Sequence, residues 1–376
     1  MKVVIACAGT GGHINPGIAI ADLIMKKFID SEVIFIGTKT GLENDLIPKA
    51  GYKIYSIRTG KLLRKITVEN IKAVYNTYVG ISDSEKILKG FKPDIVIGTG
   101  GYICVPVMLA AKRLHIPYML HESNAFPGLS VKLLAKYSSC IMVGFKEALT
   151  RLNNMSNTVC TGTPSKFDSN DIQKLDIEKC KKDLEINNSD KKIVFITFGS
   201  QGAKSLNLLI IKMICEKLDK NILYILVTGK NNYEDVKNLV KNLEKEKGID
   251  LSEFLDLRKF VYNMDKMYKV ADLCITRAGA LTINELSIAL KPAILIPLPY
   301  AAENHQLYNA KVLGSIGAGV IIEEKDITVD LLYNEITKIL NDKLSIMTMN
   351  FTKLEKQDVQ KNIYNEILKV YKSSKK

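Results

Sequence analysis

Apolar residues along the chain fall into short β-branched runs that alternate with stretches of helical period. Val3 to Cys7 is such a run, followed by Gly9-Thr10-Gly11-Gly12-His13 and then by Ile18, Ile20, Ala21, Leu23 and Ile24 at helical spacing. This predicts a strand, a glycine loop and a helix. The same order returns at Ile193 to Phe198, Gly199-Ser200-Gln201-Gly202-Ala203 and the periodic run Leu206, Leu209, Ile210, Met213 and Ile214. Second strands are predicted at Val33 to Ile36 and at Leu223 to Val227. Further along, Asp94-Ile95-Val96-Ile97 ahead of Gly98-Thr99-Gly100-Gly101 matches Asp272-Leu273-Cys274-Ile275 ahead of Thr276-Arg277-Ala278-Gly279. Tyr118 to His121 after Pro117 parallels Ala293 to Ile296 after Pro292.

Strands alternating with helices at this spacing imply an α/β fold of two doubly wound, Rossmann-like parallel sheets. Ligands in such sheets lie at the carboxyl ends of the strands, where all of these glycine loops fall, so the active site is expected in a cleft between the halves. The expected divisions are an N-terminal domain over 1–165, a second domain over 166–352 and a final helix over 353–376. Phe167 to Lys192, charged and poor in proline, reads as the linker and first helix of the second half. Val359, Ile363, Ile367 and Val370 share one helical face, which predicts a packed amphipathic helix crossing back to the first domain. Lys372 to Lys376 are expected to fray.

Composition narrows the class. The 376 residues exceed the usual size of one core, and 47% hydrophobic with 25% charged residues is ordinary for a globular protein. The opening Met1-Lys2-Val3-Val4 enters a strand directly, without the features of a signal peptide, so an intracellular protein is expected. No run approaches the roughly 18 apolar residues of a membrane span. The seven cysteines are scattered without a Cys-x-x-Cys pair and read as buried thiols. A formal charge of +13 calls for an acidic partner: nucleic acid, an anionic membrane face or a phosphorylated substrate. With no Trp and no aromatic stripe on a strand pair, nucleic acid is disfavoured.

A glycine loop between a parallel strand and a helix lets backbone amides approach a phosphate, and several facing one cleft suit a diphosphate. Ile14 stands where a dinucleotide fingerprint needs glycine. The mononucleotide P-loop also fails, because Ala203 precedes Lys204-Ser205 and Asn231 follows Lys230. No Asp-x-Asp pair occurs, so no metal clamp and no cofactor are expected, and leaving-group charge must be met by amides and side chains.

Taken together, Gly9-Thr10-Gly11-Gly12-His13 with Pro16, Gly98-Thr99-Gly100-Gly101-Tyr102, His121-Glu122-Ser123-Asn124, Gly199-Ser200-Gln201-Gly202-Ala203, Arg277 to Thr282 with Glu285, and Asn304-His305-Gln306 with Asn309 closely resemble the MurG family. The resemblance runs along nearly the whole chain. It implies the GT-B glycosyltransferase fold and inverting transfer of N-acetylglucosamine from UDP-GlcNAc to the C4 hydroxyl of the muramoyl sugar of lipid I, forming lipid II for peptidoglycan. It further implies a peripheral enzyme on the anionic inner face of the cytoplasmic membrane.

Carried over residue by residue, the resemblance sets uracil against the backbone of Val261, the ribose hydroxyls on Glu285 and the donor diphosphate at Ala280, Leu281 and Thr282, with Ser200 in support. Asn124 and Gln306 are expected to read the sugar hydroxyls, with Thr10, Gly11, Gly12, Lys166, Arg277 and His305 also on the donor. Gly11, Gly12, Gly100, Gly101 and Tyr102 are expected around the acceptor diphosphate. For the acceptor proton, His13 and Glu122 both stand open. A free imidazole titrates near ~6.5 and can act as a base at neutral pH, whereas a carboxylate must first be raised by burial.

The chain departs from the family pattern at Lys166, in Gly162-Thr163-Pro164-Ser165-Lys166, where the family usually has Arg. It also departs at Ser123 and His305, where Gln is found in relatives. Other readings in view are a different GT-B transferase with a lipid acceptor, or a UDP-GlcNAc 2-epimerase. Between Lys53 and Lys72 six basic residues face a single acid, Glu69, with Leu62 and Leu63 beside Arg64 and Lys65. That segment is expected to dock on anionic lipid.

Overall fold

The computed structural model describes residues 1–60, 68–186, 190–199, 201–355 and 358–375. The chain divides into two compact units, Met1–Lys166 with Lys356–Lys376, and Phe167–Glu355.

The first unit is built on β1 (Lys2–Cys7), β2 (Glu32–Gly37), β3 (Lys53–Ser56), β4 (Ile95–Gly100), β5 (Tyr118–Glu122), β6 (Cys140–Val143) and β7 (Thr158–Cys160). These lie in the order β3-β2-β1-β4-β5-β6-β7, and every pairing is parallel. Val3 to Cys7 are all fully buried, as a strand covered by helices on both faces requires. The strand alternation then sorts its side chains. Val3, Ile5 and Cys7 pack with Ile20 and Ile24 of the first helix, Gly11–Lys27, while Val4 and Ala6 pack with Val107 and Met108 on the other face.

The second unit repeats the plan with β8 (Lys192–Thr197), β9 (Ile222–Val227), β10 (Leu255–Arg258), β11 (Leu273–Thr276), β12 (Ala293–Leu295) and β13 (Gly319–Ile321). Their order is β10-β9-β8-β11-β12-β13, again all parallel. Each sheet reverses its strand order once, between β1 and β4 in the first and between β8 and β11 in the second. Such a reversal opens a crevice at the carboxyl ends of the two central strands.

The internal repeat extends to single atoms. Asp94 and Asp272 lie just outside β4 and β11, where the sequence pattern places them inside. Asp94 Oδ2 accepts the Lys2 amide at 2.8 Å while its own amide donates to the Lys2 carbonyl at 2.8 Å. Asp272 does the same with Ile193, both bonds again 2.8 Å. A carboxylate at this position ties the two central strands together at the end away from the ligand loops.

The stretch expected to be a linker and one helix forms two short helices, Ser169–Lys174 and Ile177–Asp183. Asp168 and Asp176 cap them by accepting the Asp171 and Lys179 amides, which splits the segment into two starts. The last helix, Val359–Ser374, buries Ile363 and Ile367 completely among Ile5, Ile20 and Phe35 of the first unit. The expectation that Lys372 to Lys376 fray is corrected. Helix persists to Ser374, and Lys375 Nζ meets Asp94 Oδ1 at 2.7 Å. Residue 376 lies outside the described residues. All seven cysteines are free thiols, six of them buried.

Candidate active site

In the first unit the loops after β1 and β4 flank the strand reversal. Thr10 caps the first helix, so the amides of Gly11 and Gly12 belong to its first turn, where no carbonyl of the same helix can receive them. His13 follows on that turn. The β4 loop closes tightly on it: Thr99 Oγ1 donates to the His13 carbonyl at 2.7 Å. A Cβ on Gly100 would overlap the His13 ring, and one on Gly101 would come within 2.5 Å of the Ala8 carbonyl. Both glycines also have positive φ, 123° and 86°, so side chains are excluded there twice over. Tyr102 is half-buried beside them, its phenol pKa raised by burial and then by the charge of Glu43. Thr10, Gly11, Gly12, His13, Gly100, Gly101 and Tyr102 therefore sit on the two loops at this reversal.

At the end of β5, His121 and Glu122 are both buried. His121 Nε2 lies 3.2 Å from the Gly162 carbonyl and Nδ1 3.3 Å from Ser123 Oγ. Burial pushes its pKa down to about 4, so it stays neutral at physiological pH and serves as a fixed hydrogen-bonding group. Glu122 Oε1 accepts the Asn124 backbone and side-chain amides, both at 2.9 Å, and Oε2 accepts the Gly128 amide at 2.7 Å. The carboxylate thus shapes the loop that carries Asn124. The Asn124 amide nitrogen is itself directed to Glu122, which limits it as a donor to a sugar. Lys166 ends this unit and is exposed.

In the second unit the helix Ala280–Ala289 begins directly after β11 with Gly279 as its cap. Ala280, Leu281 and Thr282 supply its first turn, an anion site by geometry and dipole alike. Asn309, wholly buried, holds that start by donating to the Ala278 carbonyl at 3.1 Å. One turn on, Glu285 is oriented from beneath: the buried Tyr268 hydroxyl donates to its Oε2 at 3.1 Å. Burial first, and then the charge of Glu285, pushes the Tyr268 phenol well up, so it remains a donor.

Arg277 turns inward. Its guanidinium donates to the Ile296 and Pro297 carbonyls, each at 3.2 Å, and meets Glu324 at 2.7 Å, with only 11% of the side chain exposed. In this arrangement it clamps the loops after β11 and β12 together. Val261 is buried in the loop after β10, between Phe260 and Tyr262, whose rings lie 4.7 Å apart. His305 and Gln306 open the helix His305–Ile316, and Gln306 Oε1 accepts the Leu298 amide at 3.0 Å. Ser200, Leu62, Leu63, Arg64 and Lys65 lie outside the described residues. Among the described residues, no group of three or more His, Cys, Asp or Glu could hold a metal ion.

Tyr268, Thr38 and Glu43 were not found by sequence reasoning. Tyr268 lies with Met267 and Val270 on the buried side of a short helix and gives no signal beyond core packing. Glu43 is a first-turn glutamate, and only the glycines at 37 and 41 around it hint at a crowded carboxylate. The structure also shows an apolar stripe on the helix Val68–Phe91, where Ile71, Val74, Tyr75 and Tyr78 recur at helical spacing with exposures of 72%, 58%, 65% and 66%.

Two family models match, the glycosyltransferase family 28 N-terminal domain over residues 3–143 and the glycosyltransferase family 28 C-terminal domain over residues 193–363. The UDP-N-acetylglucosamine--N-acetylmuramyl-(pentapeptide) pyrophosphoryl-undecaprenol N-acetylglucosamine transferase of Thermoanaerobacter sp. (strain X514) is 40% identical over 369 residues, covering 98% of this chain and 99% of that protein. Among solved structures, Acinetobacter baumannii MurG superposes with a TM-score of 0.74 at 26% identity over 98% of this chain and 99% of that one. A Neisseria meningitidis UDP-GlcNAc 2-epimerase bound to UDP-GlcNAc shares the fold, with a TM-score of 0.66 at 15% identity over 98% of this chain and 100% of that one. With family 28 models spanning both sheets and close identity over nearly the full length of a relative, the chain belongs to the MurG family of GT-B glycosyltransferases.

Proposed function

We infer that this protein transfers N-acetylglucosamine from UDP-GlcNAc to the C4 hydroxyl of the muramoyl sugar of lipid I, giving lipid II and UDP with inversion at the sugar carbon. The observation that carries this is the junction of β11 with its helix. A helix N-terminus and an oriented carboxylate one turn later form a matched pair for the diphosphate and ribose of one nucleotide.

Uracil is then read by the backbone at Val261, the ribose by Glu285, and the diphosphate by Ala280, Leu281 and Thr282 with Ser200. His305, Gln306 and Asn124 face the sugar, with Thr10, Gly11, Gly12 and Lys166 completing the donor contacts. Arg277 acts by holding the loops in place. The unit Met1–Lys166 takes the acceptor, whose diphosphate meets Gly11, Gly12, Gly100, Gly101 and Tyr102. In the reaction the C4 oxygen attacks the sugar C1, the C1–O bond to the β-phosphate breaks, and its electron pair leaves on UDP. The C4 proton passes to His13. Fixed amides stabilise the departing diphosphate without a metal ion.

UDP is expected to bind at least roughly tenfold more tightly than ADP, because a backbone edge shaped for uracil leaves polar groups of adenine unpaired. Titration calorimetry with both nucleotides checks this, and equal affinities would refute the Val261 assignment.

We place the protein on the anionic inner face of the cytoplasmic membrane. No helix among the described residues is long and apolar enough to cross a membrane. Support for surface docking comes from the exposed stripe of Ile71, Val74, Tyr75 and Tyr78, which begins a few residues beyond Leu62, Leu63, Arg64 and Lys65 and carries the exposed Lys72. Apolar side chains flanked by cations suit an anionic headgroup layer. Replacing Ile71, Tyr75 and Tyr78 with Ser is expected to weaken sedimentation with anionic vesicles by about tenfold or more while a soluble short-chain acceptor is still used. Unaltered vesicle binding would place the docking surface elsewhere.

A further inference from the structure

The carboxylate of Glu43 is wholly buried beneath the loop that opens the first helix, where the transfer reaction itself needs no negative charge. Its Oε2 accepts the Gly9 amide at 3.2 Å. Its Oε1 accepts the Thr38 amide at 3.2 Å and the Thr38 hydroxyl as well. The Tyr102 phenol lies near enough to feel the charge of Glu43. One side chain thereby joins two loops, those after β1 and β2, beside the loop after β4. Space for it is kept by two glycines: a Cβ on Gly37 would come within 2.9 Å of Glu43 Cγ, and one on Gly41 within 2.6 Å of its carboxyl carbon.

Burying a carboxylate is costly unless donors surround it, and here the donors are the loops themselves. The exchange is mutual. Glu43 is made tolerable by Gly9 and Thr38, and Gly9 and Thr38 are fixed by Glu43. Burial, and then the charge of Glu43, also raises the Tyr102 phenol, which keeps its proton available to a phosphate oxygen.

We propose that Glu43 is a positioning residue for the acceptor, holding the Gly9–Gly12 loop, beside Tyr102, in the arrangement that receives the acceptor diphosphate. It touches no substrate and acts through Gly9 and Thr38. The inference rests on the reading above that the first unit takes the acceptor.

Glu43→Gln keeps the volume but turns an N–H toward either the Gly9 or the Thr38 amide. Amide exchange over Gly9–His13 is expected to quicken about tenfold or more, the KM for a soluble short-chain lipid I analogue to rise about tenfold, and the UDP Kd to stay within about twofold. Thr38→Val removes only the hydroxyl link and is expected to raise the acceptor KM about threefold, again without touching UDP. It also decides the matter if Glu43→Gln fails to fold. A folded variant with unchanged acceptor KM, or one losing acceptor and UDP affinity in parallel, would overturn the proposal. Should the unaltered protein not use the acceptor at all, the acceptor assignment falls, and the exchange rates at Gly9–His13 then decide whether Glu43 orders the loop.

Discussion

His13→Gln is expected to lower kcat by roughly a hundredfold while leaving the UDP Kd within about twofold of its starting value. His13 stands on the first turn of the helix that follows β1, with its carbonyl held by Thr99 and its ring packed over Gly100. Side chain and backbone are therefore both fixed in the loops assigned to the acceptor, where the C4 proton must be taken. Glu122, the other candidate base, at the end of β5, accepts three hydrogen bonds from Asn124 and Gly128. A carboxylate so engaged orders its loop, and its oxygens are directed at Asn124 and Gly128. Glutamine in place of His13 keeps hydrogen-bonding capacity and removes only the base, so steady-state kinetics with a soluble acceptor separate proton transfer from binding. A kcat near normal would shift the proton to Glu122 or to another route.

Glu285→Ala is expected to raise the UDP Kd about tenfold or more, since two ribose hydroxyls lose an acceptor at a cost on the order of 1–3 kcal/mol. The structure adds a second consequence. Tyr268 is wholly buried and donates to Glu285, so truncation leaves its hydroxyl without that bond and lowers Tm as well. Tyr268→Phe separates the two effects. It removes the anchor but keeps the carboxylate, and is expected to raise the UDP Kd about threefold with no orphaned hydroxyl. UDP affinity unchanged in Glu285→Ala, measured by calorimetry on folded protein, would remove Glu285 from the ribose.

Most of the fold was legible because each half writes the same strand, glycine loop and helix in its apolar pattern. Positions such as Gly100 and Gly101 announce themselves, for backbone that must pack closely on a neighbouring loop restricts the residue type. The supports were less visible. Tyr268 orients Glu285 across 17 residues of sequence and Glu43 reaches Gly9 across 34, and neither distance leaves a periodic trace. Arg277 reads as a cation for the donor, yet carbonyls at Ile296 and Pro297 and the carboxylate of Glu324 draw it inward. Lys375 reads as part of a loose basic tail because its partner, Asp94, lies far back in the chain.

The central claim is transfer to a lipid-linked acceptor, and shared fold leaves a turnover of the donor alone as the sharpest contrast. UDP release is measured from UDP-GlcNAc with and without a soluble lipid I analogue, with the glycan product followed by mass spectrometry. Release that requires the acceptor, together with an added N-acetylhexosamine on that acceptor, is the predicted result. Conversion of UDP-GlcNAc at the same rate in the absence of acceptor, with no glycosylated product, would contradict it.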